Sequence, residues 1–182
     1  DERKQYIYSI MLFTLFVENV SLFSQFYIIM HMNRNKAVMK DCAQQVQYTR
    51  NEEMLHAQVG IKLIQTLREE YPELFDKELE ARVQQECIDS LKAESKVIDW
   101  IMDGHSAPGL SADILKSFIA KRMADSIDAI GFDNSEIKYD QEHIDQTFWF
   151  DEELYGANMT DFFQKRPVEY AKGQGISADD LF

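Results

Sequence analysis

Apolar residues recur at helical spacing along most of the chain and gather into four long runs. The first extends from about Arg3 to Met32. Its apolar positions spread widely around the axis, which predicts a helix buried on several sides. Polar Asn33, Arg34 and Asn35 then predict a turn. A second helix is expected from about Lys36 to Glu70, with Met39, Cys42, Val46, Thr49, Glu53, His56, Val59 or Gly60, and Leu63 along one inward stripe, before Pro72 ends the region. A third, from Lys77 to Met102, places Leu79, Val83, Cys87 and Leu91 at four-residue intervals, and Ile98 and Ile101 resume the stripe. Glu94 and Ser95 fall in the gap, so weaker burial is expected there. Residues 104–109 read as a turn, after which Ser111 caps a fourth helix ending near Ile130.

Composition narrows what such helices can do. With 182 residues, 45% apolar and only three Pro and seven Gly, the chain reads as one helical domain over 1–150 and an extended tail over 151–182. A net charge of −13, from 19 Lys and Arg against 32 Asp and Glu, repels phosphate backbones and leaves no basic stripe for nucleic acid. Cys42 and Cys87 lack CxxC spacing and fall within helical patterns, so they read as reduced, packed thiols of a cytoplasmic protein. The Tyr6 to Met32 run is apolar enough to suggest a membrane span, but Glu18, Asn19, Ser21, Ser24 and Gln25 interrupt it, favouring a buried helix and no membrane. The first residues, Asp1 to Gln5, are already helix-like. The chain is therefore expected to begin partway into an element, as a fragment, a processed product or half of a split protein.

The candidate chemistry lies in Glu18, set inside an apolar run, and in the pair Glu53 and His56. Residues three apart share a helix face, so the Glu53 carboxylate and a His56 nitrogen can converge on one ion, with Glu18 reaching them from the neighbouring helix. An acid among Phe13, Phe16, Val17, Val20, Leu22 and Phe23 is costly to bury without a counter-charge, which a metal supplies. The competing readings are an exposed acid for Glu18 and a hydrogen-bonded core histidine for His56. Oxygen and nitrogen donors of this kind suit iron or manganese better than structural zinc. Three ligands are too few for two metals, so residues outside this chain are expected to complete the site. Glu52 points about 100° away from Glu53 and belongs outside the ligand set. His31, His105 and His143 have no such pairing and read as surface or hydrogen-bonding histidines. Trp100 and Trp149 read as packing residues. Long helices carrying a Glu-x-x-His pair suggest an all-α, ferritin-like helical bundle, incomplete in this chain.

LFTLFVEN around Glu18, TRNEEMLH around Glu53 and His56, the later WIMDGH, the segment around Trp149, residues 161–170 and an acidic tail ending in Phe182 together resemble the class I ribonucleotide reductase small subunit, in its C-terminal half. The resemblance implies a dimeric ferritin-like protein holding a dinuclear iron or manganese/iron centre. It implies O2 as oxidant during activation and an oxidising equivalent passed to a catalytic large subunit for deoxyribonucleotide synthesis. Glu18, Glu53 and His56 then correspond to the last three metal ligands. The others, an acid and a second Glu-x-x-His pair, precede the region present here. Expected partners are thus the N-terminal half of the small subunit, as a separate chain or preceding sequence, a second small-subunit protomer and the large subunit.

The resemblance also assigns residues beyond the ligands. Glu52 stands where the family commonly has an aspartate that hydrogen-bonds a metal histidine and joins the electron route; the extra methylene leaves a relay role open. Leu22 and Phe26 resemble the apolar shell around the radical site, a reading that plain core packing explains equally. Tyr170 resembles the tyrosine that relays the radical between subunits, against the simpler reading of a tail-packing residue. Residues 171–182 contain two Gly and few core-forming positions, so the tail is expected to be mobile, with Asp179, Asp180, Leu181 and Phe182 as a small amphipathic anchor that docks on the partner. Two other functions compete: a related dimetal oxidase acting on a small or lipid-like molecule, and a non-catalytic helical assembly subunit. A hydrophobic ligand beside the metals would favour the first, and divergence of Glu18, Glu53 and His56 the second.

Overall fold

A computed structural model describes residues 2–152, and within them the chain is helical with no strand. Helix α1 (Glu2–Leu12) runs into a π-helical segment (Phe13–Ser21) and then α2 (Phe23–Lys36), so the first predicted helix is one long rod with a widened middle. A three-residue link reverses the chain into α3 (Lys40–Glu70). After a 3-10 turn at Pro72–Leu74 come α4 (Lys77–Met102), α5 (Ala112–Ala129) and the short α6 (Gln141–Asp145).

The turn after the first rod differs from the sequence expectation. Asn33, Arg34 and Asn35 remain helical because α2 continues to Lys36, and the reversal falls on residues 37–39, where Ala37 (φ 53°) and Met39 (φ 58°) adopt left-handed backbone. Each costs about 1 kcal/mol or more for a residue with a Cβ. Elsewhere side chains cap the helix starts, as expected at Ser111 and without a sequence expectation at Asp76. Asp76 Oδ1 accepts from Leu79 N at 2.9 Å to start α4, and Ser111 Oγ accepts from Ile114 N at 3.2 Å to start α5.

The rod forms the centre of the core. Met11, Leu15, Val20, Phe23 and Tyr27 are fully buried on it, and the π-helical segment packs against α3, α4 and α5. Each such side chain contributes about 1.5–3 kcal/mol by leaving water. Among the described residues the rod is also the one helix long and apolar enough to cross a membrane. The α4–α5 turn is tied to it: Tyr27 OH donates to Gly109 O at 2.8 Å, and His31 Nε2 lies 3.0 Å from Pro108 O. Arg68 near the end of α3 donates to Ile130 O at 2.5 Å, placing a cation at the C-terminus of α5.

The α3 stripe, the packing of Cys42 and the gap at Glu94 are corrected, whereas Cys87 packs as expected. The seam of α3 that enters the core is Ala43, Arg50, Ala57 and Ile64, so Met39, Cys42, Val59 and Leu63 face outward and Cys42 is an exposed thiol. Cys87 is buried, which pushes its thiol up to about 12 and leaves it inert. Glu94 is buried on the α4 stripe, where Ser21 Oγ donates to its Oε1 at 3.1 Å, instead of lying in a gap. Arg50, also buried, donates from Nη1 to Phe150 O at 2.8 Å and stacks over the Phe150 ring. That contact secures the segment after α6 to α3.

Candidate metal centre

Two helical segments position the group. Glu53 and His56 lie one turn apart on α3, at the margin of its buried seam, and Glu18 comes from the π-helical segment packed against it. His56 Nδ1 stands 3.2 Å from Glu18 Oε2 and 3.2 Å from Glu53 Oε2. The three candidate donor atoms all lie within 4.8 Å of one another. Glu18 and Glu53 are largely covered, with side-chain exposures of 13% and 21%, whereas His56 is 60% exposed. The group therefore sits in the flank of the helix pair and opens outward.

The apolar environment of Glu18 is less complete than the sequence suggested. Val20 and Phe23 are buried, but Phe13, Val17 and Leu22 are exposed, because the helices around the rod leave part of its circumference uncovered. The proximity of Glu53 raises the pKa of Glu18, with burial adding to it and His56 pulling back. Hydrogen bonding to Glu53, then to Glu18, raises that of His56. Crowded together, Glu18 and His56 thus hold their protons more tightly than they would apart. A cation among them would relieve the repulsion between the carboxylates, and these hard donors suit iron or manganese. For Nδ1 to ligate, it must give up its proton, leaving the ring proton on Nε2. Three donors leave much of an octahedral shell open, so the group fits part of a metal site.

The π-helical segment has outside support. Arg122 of α5 donates from Nε to Asn19 O and from Nη2 to Asn19 Oδ1, each at 2.8 Å, while Asn19 Nδ2 donates to Ser126 Oγ. The wide turn that presents Glu18 is thereby held by α5 as well as packed against α3. π-Helical turns often occur at functional sites, where they re-aim side chains. Sequence reasoning did not find these residues. An arginine in the otherwise apolar row Leu115, Phe118, Ile119 and Met123 was the available signal for Arg122.

This sequence matches the family described as Ribonucleotide reductase, small chain, over residues 1–139. The chain belongs to that family. It is also 28% identical over 164 residues to the probable ribonucleoside-diphosphate reductase small subunit 048L of Invertebrate iridescent virus 3, an alignment spanning 90% of this chain and 42% of that protein. The chain thus spans less than half the length of that relative. Small chains of ribonucleotide reductase are ferritin-like helical proteins with a dimetal site, and the all-helical architecture and the Glu18, Glu53, His56 group agree with both features.

The other sequence-assigned residues divide clearly. Phe26 is buried, with its ring 5.5 Å from that of Phe23. Leu22 is 46% exposed, so it lines no closed shell within this chain. Glu52 is exposed and apart from the three-residue group. His31, His105 and His143 have hydrogen-bond contacts with Pro108 O, Met102 O and Ser117 Oγ, respectively, in keeping with bonding rather than ligating histidines. Trp149 packs beside Tyr27 and Trp100 is exposed. Tyr170, Asp179, Asp180, Leu181 and Phe182 lie outside the described residues.

Proposed function

We propose that this chain supplies half of the dimetal centre of a class I ribonucleotide reductase small subunit. The convergence of Glu18, Glu53 and His56 within 4.8 Å carries the reading. Bound there with the remaining ligands, iron or manganese/iron would supply O2-driven one-electron oxidation, used by a catalytic large subunit to reduce ribonucleotides. This chain's part is to hold two carboxylates and an imidazole in register, to give up to solvent any proton on the ligating atoms as the metal binds, and to cover Glu18 and Glu53 from water.

The missing ligands come from preceding sequence or a separate chain that packs over the open side. Phe13, Val17, Leu55 and Val59, exposed on the two ligand-bearing segments, provide apolar surface for it. A second protomer completes the small subunit, and residues 151–182 form a tail that carries Tyr170 as radical relay and docks through Asp179, Asp180, Leu181 and Phe182. The net charge of −13 supports a role without nucleic acid. The burial of Met11, Leu15, Val20, Phe23 and Tyr27 supports a core rod in a cytoplasmic protein with no membrane span. Metal analysis and electron paramagnetic resonance on the complete assembly, followed by nucleotide reduction with the large subunit, test the proposal. An assembly that holds no metal at this group refutes it.

A further inference from the structure

Of the four described glycines, Gly104, Gly109 and Gly131 occupy turns with positive φ, whereas Gly60 lies inside the 31-residue α3. Glycine is a poor helix former, so helix propensity does not account for it. Close approach does. A Cβ at position 60 would stand 2.2 Å from Thr14 Oγ1, 2.5 Å from Thr14 Cγ2 and 2.9 Å from Thr14 Cβ. Thr14 is buried on the π-helical segment, four positions before Glu18, and Gly60 follows His56 by four positions. The two meet about one turn from the candidate ligands on both segments.

We propose that Thr14 and Gly60 form a spacer that sets the separation of the π-helical segment from α3 and hence the geometry of the Glu18, Glu53, His56 group. The inference rests on the metal-centre reading above. Rotation of the Thr14 side chain can move Oγ1 and Cγ2, but its Cβ is fixed to the backbone. A side chain at position 60 is therefore admitted only if one helix moves, by about 0.6 Å or more, because carbon atoms rest about 3.5 Å apart or more. Metal ligation tolerates distance errors of only about 0.2 Å. With the ligands about 5.4 Å along the axis from the crossing, the opening reaches them nearly undiminished. Thr14 and Gly60 are positioning residues that act through the ligands.

Mn(II) titration of the complete assembly, with free ion followed by electron paramagnetic resonance and helix content by circular dichroism, tests the spacer. Gly60→Ala should weaken Mn(II) binding at least tenfold with helix content retained. The pair Thr14→Gly with Gly60→Ala, which removes the opposing side chain, should recover affinity to within about threefold of the unaltered protein. Thr14→Val, which keeps the shape and loses the hydroxyl, should bind normally. Gly60→Ala affinity within threefold of normal, or no recovery in the pair, overturns the proposal. Should Gly60→Ala fail to fold, Thr14→Val and Thr14→Ala decide it: the first binding normally and the second at least threefold more weakly supports the spacer, and equal affinities overturn it. Absence of Mn(II) binding by the unaltered assembly refutes the metal-centre reading and the spacer with it.

Discussion

Arg122 grips the backbone of Asn19, donating from Nε to its carbonyl oxygen at 2.8 Å while the guanidinium lies 3.6 Å from the centroid of the Phe23 ring. Asn19 adjoins Glu18, so a residue on α5 holds the wide turn that presents a candidate ligand. Arg122→Ala should destabilise the protein by about 2 kcal/mol or more, since it removes charged hydrogen bonds and leaves a largely covered carbonyl without its donor. It should also weaken metal binding. Denaturant unfolding of the assembly and metal content measured together check both, and an unchanged midpoint would contradict the supporting role. Arg122→Lys should recover only part of the loss, because one ammonium cannot reproduce the planar fork.

Replacing Glu53 or His56 by Ala should reduce metal occupancy and radical yield much more than it lowers helix content. Both side chains lie at the margin of the α3 seam, and Ala43, Arg50, Ala57 and Ile64 still pack without them. Full occupancy and normal radical yield in both variants, by metal analysis and electron paramagnetic resonance, would remove the assigned roles.

Burial raises the pKa of Glu94, with hydrogen bonds from Ser21 and Gln25 pulling it back. The folded state therefore binds this proton more tightly than the unfolded chain, whose ordinary value is 4.5. Its favourable contribution is complete below that value and is lost as pH rises through the raised folded value. Glu94→Gln keeps an acceptor for Ser21 without the charge, so it should stabilise the protein at neutral pH, with the advantage shrinking toward pH 4.5. Thermal unfolding across that range checks the sign. A variant less stable at pH 7 than at pH 4.5, relative to the unaltered protein, would show that the ionised carboxylate is satisfied in place.

At the C-terminus, Tyr170→Phe should preserve partner binding but abolish nucleotide reduction, because phenylalanine has no phenolic proton to lose on oxidation. Removal of Leu181 and Phe182 should instead weaken association with the large subunit, by roughly a few kcal/mol less the cost of ordering the tail, with the metal site still reacting with O2. Binding and turnover assays separate the two. Near-normal turnover by the Tyr170→Phe assembly ends the relay assignment, and unchanged affinity after truncation ends the docking one.

The meeting of Glu18, Glu53 and His56 was readable because its signals are local: an acid inside an apolar run and a Glu-x-x-His pair on one helix face. The end of α3 and the start of α5 were readable for the same reason, through Pro72 and Ser111. The π-helical segment was not, since no residue within it encodes a wide turn and its support comes from Arg122, far along the chain. The α3 face was misjudged by about one position, or 100°, because taking the ligands as the centre of the buried stripe placed Cys42 and Leu63 inward. The actual seam contains Arg50, whose charge concealed a core position. Glu94 was misjudged likewise, although it continues the spacing of Cys87, Leu91 and Ile98. The short α6 has too few residues to show a period.

The link at residues 37–39 makes the rod and α3 a hairpin, with Glu18 about as far before the link as His56 is after it. One residue inserted into either arm would turn its ligand by about 100° and carry it about 1.5 Å along the axis, enough to dissolve the group. Residues added at the link would lengthen only a loop, at small entropic cost. Length variation among chains built on this plan should therefore collect at the hairpin tip and be excluded from both arms between Glu18 and His56.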